Sequence, residues 1–163
     1  PHDLMGLAVL MGGPEAAVEK LNEQIETAEK IAFTAGDRHE RETHPEYSRI
    51  PINYGKQPSI QTAFVFNHLE RPDLTQYRSK RISQTVYAGL HLNTGYKGDE
   101  DQGLMGALAV LVKMGLFQMT GGTEADRVNE LGSHRFDRIR IKLHPKYTKV
   151  VYFDSLTRNN GEE

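Results

Sequence analysis

The sequence predicts a mainly helical protein: antiparallel helix pairs with long loops on one side, followed by a short β segment. Three observations predict it. Apolar residues recur every three or four positions through much of the first 117 residues, as on helices with one buried face. Glycine and proline fall where one such stretch would end and the next begin. After Gly121-Gly122 the period shortens to two, that of a half-buried strand.

Composition sets the outer limits. With 163 residues the chain is long enough for one domain with its own core. Its formal net charge of −2, from 20 basic and 22 acidic residues, argues against a nucleic-acid or other polyanion partner. The cluster Arg78, Lys80, Arg81 therefore reads as a solvated helix face. Cysteine is absent, which excludes disulfides and thiol chemistry. Tryptophan is absent too, so an aromatic platform for a ligand would come from Tyr47, Tyr54 or Tyr96, or lie outside this segment. The chain opens on proline with neither an initiator methionine nor a signal-type region, and reads as part of something longer. Its most apolar stretch, 104–117, is too short to span a bilayer and contains Lys113.

The elements follow in order. Residues 4–11 place Leu4, Leu7, Ala8 and Met11 on one helical face, and Gly12-Gly13 stops that helix. Pro14 suits a first helical position, and Val18, Leu21, Ile25 and Ala28 mark an amphipathic helix to about Ile31. Together these make an αα-hairpin. Residues 33–57 lose periodicity; His39 and His44 are five apart and miss the spacing of a helical zinc motif, so a solvated loop is the default. Pro58 opens a helix carrying Ile60, Ala63, Phe64 and Asn67 on one face. Arg71-Pro72-Asp73 turns the chain into another, with Leu74, Tyr77, Ile82, Val86 and Leu90 inward. The helix from 104 to 117 is apolar nearly all round, which predicts burial on both sides, with Met105 and Met114 as core filler. Finally Ile139, Ile141 and Leu143 alternate with Arg138, Arg140 and Lys142, and Val150, Tyr152 and Phe153 predict a returning strand.

Between the last two long helices lies Tyr96-Lys-Gly-Asp-Glu-Asp-Gln-Gly-Leu-Met105. Gly98 and Gly103 allow tight turns, and the helix start downstream aims unpaired N–H groups at the acids, a setting that favours ionised carboxylates. In an extended loop Asp99 and Asp101 would point the same way, with Glu100 turned elsewhere. Two readings stay open: acids that only favour a helix start, or a paired carboxylate able to act as a general base. A helix–loop–helix calcium site does not fit, since Gly103 and Leu104 stand where it needs an oxygen ligand and a glycine.

Gly98-Asp99-Glu100-Asp101-Gln102-Gly103-Leu104-Met105 resembles the Gly-(Asp/Asn)-(Glu/Asp)-Asp-x-Gly-x-Met signature of family 92 glycoside hydrolases, the calcium-dependent exo-acting α-mannosidases. Further segments match in the same order: Pro1-His2-Asp3 with Leu10-Met11-Gly12-Gly13, Tyr54-Gly55 through Pro58-Ser59, Gly115-Leu116-Phe117, then Gly132-Ser133 and Phe136-Asp137. The similarity covers nearly the whole chain. It implies the C-terminal portion of an (α/α)6 toroid over 1–120, a β segment closing the domain over 121–158 and a frayed tail over 159–163. An N-terminal β-sandwich and the first part of the toroid would lie outside this chain, and the partial toroid would expose inner-helix flanks. It also implies secretion or a periplasmic location, and a mannose-containing glycan as partner.

The same resemblance implies an inverting mechanism in which Asp99 and Asp101 activate water, Asp101 as the direct base, while a calcium ion holds two adjacent mannose hydroxyls. The family's acid, a glutamate in a Glu-Gly-Asn segment, would precede Pro1, so this chain alone is expected to be inactive. Two departures mark a divergent subgroup. Gln57 stands where the family has a glutamate of its sugar and calcium site; it offers a neutral oxygen that would hold calcium less tightly, or is merely a helix-start residue. Gly106 and Leu108 replace a serine and a tryptophan after the signature. His2 and Asp3 stand near the missing acid as substrate-binding candidates, although Asp3 equally suits a helix cap. The competing class is a non-catalytic glycan-binding or structural helical domain.

Overall fold

A computed structural model describes residues 3–34, 52–89, 91, 95, 101–120, 128–142, 146 and 150–154, the last five as backbone only. The described chain is mainly helical: α1 (Leu4–Leu10), α2 (Pro14–Glu29), α3 (Val65–His68), α4 (Pro72–Thr85) and α5 (Leu104–Met114). Two short antiparallel ribbons follow, β1 (Leu116–Phe117) with β2 (Glu130–Leu131) and β3 (Arg138–Lys142) with β4 (Val150–Asp154). This is the expected architecture of helical hairpins, part of a toroid, leading into β structure.

Local chemistry sets the helix ends. Asp3 caps α1, its Oδ1 accepting the Gly6 N–H at 2.7 Å. Gly12 and Gly13 turn the chain at φ 101° and 112°, and Pro14 starts α2. Pro72 likewise opens α4. Gly103 and Gly115, both left-handed, bound α5, which ends at 114 rather than 117 because residues 116 and 117 pair with β2.

One core unites Ile25, Phe33, Tyr54, Phe64, Phe66, Ile82, Val86, Tyr87, Met105, Leu108, Val112 and Phe117. Phe64 and Phe117 stack at 4.5 Å between centroids, fastening β1 to the segment before α3. In β3, Ile139 is buried and Arg138, Arg140 and Lys142 are exposed, as the alternation predicts.

Several expectations are corrected. The helix predicted from Pro58 is broken into a 3₁₀ turn at Gln57–Ser59, another at Thr62–Phe64 and the four-residue α3. Side chains compete with the helix there: Ser59 Oγ accepts the Asn53 N–H at 3.0 Å, Thr62 Oγ1 donates to the Ser59 carbonyl at 2.7 Å, and Tyr54 Oη accepts the Ala63 N–H at 2.9 Å. Within α4 Ile82 is buried as expected, but Thr75, Arg78, Ser79 and Ser83 are buried beside it, while Tyr77 faces solvent. In α1 only Ala8 is buried, although Leu7 and Met11 were expected inward as well. The solvent face of α5 exposes Val110 and Leu111, so that helix is buried on one side of the described chain.

Connectivity sorts the loops into two ends. The Gly12-Gly13 turn and the α3–α4 turn at Leu69–Arg71 lie together at one end. The C-terminus of α2, the 52–61 loop, the end of α4 and the start of α5 gather at the other through Phe33, Tyr54, Tyr87 and Met105.

Candidate active site

The second end holds two of the described residues that the sequence singles out for chemistry, Gln57 and Asp101. At the acidic loop the backbone is unusual. Asp101, Gln102 and Gly103 are consecutively left-handed, with φ of 49°, 62° and 90°. Side chains with a Cβ avoid this region at a cost of about 1–2 kcal/mol each, so two such residues in succession are held there by their surroundings. The Asp101 carbonyl accepts the Leu104 N–H at 3.2 Å, and the Gly103 carbonyl accepts that of Ala107 at 3.2 Å, tying the bend to the first turn of α5. Asp101 is half-buried. The extended conformation expected at this residue is therefore not the one it has: a tight left-handed bend sets its direction. Asp99 and Glu100 lie outside the described residues, as does His2.

Gln57 opens the 3₁₀ turn of a braced loop. Its neighbours are held by the Gly55 N–H to Asn53 Oδ1 bond at 2.9 Å and the Asn53–Ser59 bond, while the Gln57 carbonyl accepts the Ile60 N–H at 3.2 Å. The Gln57 side chain is exposed, and no hydrogen bond to it forms among the described residues. An exposed amide oxygen on a braced loop fits a single ligand for a hard cation or an acceptor for a sugar hydroxyl. Among the described residues no three His, Cys, Asp or Glu side chains converge as a metal cluster. The Asp3 carboxylate is engaged in capping α1.

Sequence reasoning missed the connection between the two loops. Tyr54, named as a possible sugar platform, is 1% exposed and cannot stack on a ligand. It is a brace instead: its N–H donates to the Phe33 carbonyl at 2.7 Å, and its ring meets Phe33 edge-on at 6.2 Å. Tyr87, equally buried, donates its hydroxyl proton to the Tyr54 carbonyl at 2.9 Å, and the same oxygen lies 4.0 Å from Met105 Sδ. Burial pushes both phenols well above their ordinary range, so both are neutral and able to donate at physiological pH. The available signal was slight: an aromatic with a polar tip closing α4, immediately after the apolar stripe.

A groove of about 950 Å³ lies at the other end, beside Gly12, Glu15, Glu19, Glu70 and Arg71, and holds none of the predicted site residues.

Helical hairpins that gather rigid loops at one end, with an acidic bend at a helix start, define a class of loop-borne site on an α scaffold. The profile of the glycosyl hydrolase family 92 catalytic domain matches residues 1–161, and the chain belongs to that family. It is also 27% identical over 164 residues to a protein of Arthroderma benhamiae described as an uncharacterized secreted glycosidase. That alignment covers 98% of this chain and 18% of the relative, so the chain spans about a fifth of the relative's length. Among the described residues no helix is long and apolar enough to cross a membrane.

Proposed function

We propose that this chain is the C-terminal catalytic portion of a secreted or periplasmic exo-acting α-mannosidase that hydrolyses α-mannosidic bonds at non-reducing ends of glycans with inversion. The observation that carries the reading is the family match across residues 1–161, and the left-handed bend at Asp101–Gly103 before α5 supports it. Strained backbone concentrates where a side chain must be aimed, and this bend aims a half-buried carboxylate.

In an inverting hydrolysis, water attacks the anomeric carbon as the glycosidic bond breaks. A base removes the water proton and an acid protonates the departing oxygen. Asp101 takes the water proton in this reading and Asp99 orients the water. The acid lies outside this chain, about 6.5–9.5 Å from the base in the complete site. Gln57 offers its amide oxygen to the terminal sugar and to calcium. Calcium, when bound, would hold two adjacent sugar hydroxyls; with a neutral donor at position 57 its affinity is lower than a glutamate would give. An alkoxide leaving group needs a proton from that acid, so the chain alone is expected to be inactive on disaccharides.

The test uses the full-length polypeptide on an aryl α-mannoside and an α-linked mannobiose. Asp101→Asn is expected to lower kcat by about 10²–10⁴-fold, the range typical of a lost general base. Full turnover in both Asp101→Asn and Asp99→Ala would remove the base assignment. Glycan binding with no mannose released by the wild type would favour the alternative motivated by Gln57, a non-catalytic binding domain.

A further inference from the structure

We propose that Tyr87 is a positioning residue that locks the Gln57 loop and the acidic bend into one register, so that ligand-holding and proton-accepting groups keep a fixed separation. The inference rests on the hydrolase reading for its kinetic consequence but on geometry alone for the linkage.

The two loops are 40 or more residues apart in sequence. Tyr87 stands between them at the end of α4. Its single hydroxyl proton goes to the Tyr54 carbonyl, 2.9 Å away, three residues before Gln57. The same oxygen touches Met105 Sδ at 4.0 Å, two residues after Gly103 and four after Asp101. One proton cannot serve both partners, so the first contact is a hydrogen bond and the second a packed sulfur contact. All three residues are at most 1% exposed, which shields the bond from competing water. Tyr54 is separately fixed by Phe33 and by the Ala63 N–H, so a displacement of Tyr87 is felt across the whole Gln57 loop. Misplacing a reacting group by an ångström costs on the order of 10²-fold in rate, so such a spacer acts on kcat without touching substrate.

Tyr87→Phe in the full-length polypeptide removes only the hydroxyl. Amide exchange should then rise together at Tyr54 and Ala63 and at Leu104 and Ala107. On an aryl α-mannoside, well below the melting temperature, kcat should fall at least about tenfold with KM within about twofold. Tyr54→Phe is the control: it releases the Ala63 amide but keeps the Tyr54 carbonyl, and should leave the exchange of Leu104 and Ala107 unchanged. Unchanged exchange at either loop in Tyr87→Phe, or an unchanged kcat, overturns the proposal. Should that variant fail to fold, Met105→Leu probes the contact from α5. A smaller fall in kcat supports the linkage, and an unchanged kcat overturns it. If the wild type does not cleave α-mannosides, the hydrolase reading falls, and the exchange comparison still decides whether Tyr87 couples the loops.

Discussion

Arg78 shows how far a single residue can depart from the reading of its neighbours. In sequence it belongs with Lys80 and Arg81 as a solvated cluster, yet its side chain is 5% exposed. The guanidinium reaches across to α2, bonding Asn22 Oδ1 at 2.7 and 3.0 Å, Glu26 Oε1 at 2.7 Å and Glu29 Oε2 at 3.1 Å. Its carbon also lies 5.0 Å from the centroid of the Tyr77 ring. Those partners are three and four positions apart on α2, so they share one helical face, but nothing near Arg78 in sequence announces them. A planar fork with five donors can satisfy this arrangement; an ammonium cannot. Arg78→Ala is expected to cost about 2–4 kcal/mol in urea unfolding, since it strips several charge-assisted bonds and leaves Glu29 without its buried partner. Arg78→Lys should recover only part, and Lys80→Ala should stay within about 0.5 kcal/mol. Equal effects of Arg78→Ala and Lys80→Ala would mean that the network contributes nothing to holding α2 on α4.

Between elements, the seam joining α5 to the segment after β2 explains two of the glycine motifs. Gly115 is left-handed at φ 74°, and a Cβ there would sit 2.8 Å from the His134 backbone nitrogen. Gly132 donates its N–H to the Gly115 carbonyl at 2.9 Å, and a Cβ on it would meet Ser79 Oγ at 2.8 Å and Phe64 Cε1 at 3.2 Å. The obstacle at Gly115 is backbone and the conformation itself is disfavoured; at Gly132 it is two buried side chains, with no positive φ to add to it. Gly115→Ala should therefore lower stability by about 3 kcal/mol and Gly132→Ala by about 1–2 kcal/mol, read as shifts in denaturation midpoint. A reversed order would show that Ser79 and Phe64 are the less yielding neighbours. Both glycines were visible in the sequence, but their mutual contact was not, because it depends on how the chain returns after residue 120. The same distinction governs the other elements. Capping by Asp3, the Gly12-Gly13 turn, the stripe of Ile25 and Ala28 and the alternation of β3 were legible, since each is decided within a few residues. The broken segment from 57 to 68 was not. There Tyr54 takes the Ala63 N–H and Thr62 the Ser59 carbonyl, backbone groups that a helix would otherwise use. At the candidate site the acidic signature and Gln57 could be picked out from sequence, whereas the left-handed bend and the Tyr87 link arise only from packing.

For the molecule as a whole, the imbalance is at α1. Its seven residues are all apolar or glycine, yet Met5, Leu7, Val9 and Leu10 are 47%, 45%, 68% and 86% exposed, with Met11 following at 40%. Beside them an apolar cavity of about 300 Å³ runs between Leu7, Ala8 and Met11 of the first hairpin and Leu21, Val65 and Leu69. α5 adds Val110 and Leu111 at 58% and 40%. Single exposed apolar residues need no explanation, but a helix with one buried residue and no charge is a surface that water disfavours. The 163-residue polypeptide on its own is therefore expected to self-associate through α1, with an apparent mass by light scattering that rises with concentration. Val9→Lys combined with Leu10→Glu should suppress the association while leaving helicity intact, because neither side chain contributes to the core. A matched pair of charges at the far end of α2, Thr27→Lys with Lys30→Glu, should change it much less, since neither residue borders that cavity. In the full-length polypeptide the same Val9 and Leu10 substitutions should instead lower the melting temperature, if the remainder of the helical domain covers that face. A wild-type chain that stays monomeric at high concentration would show that α1 is not adhesive as it stands.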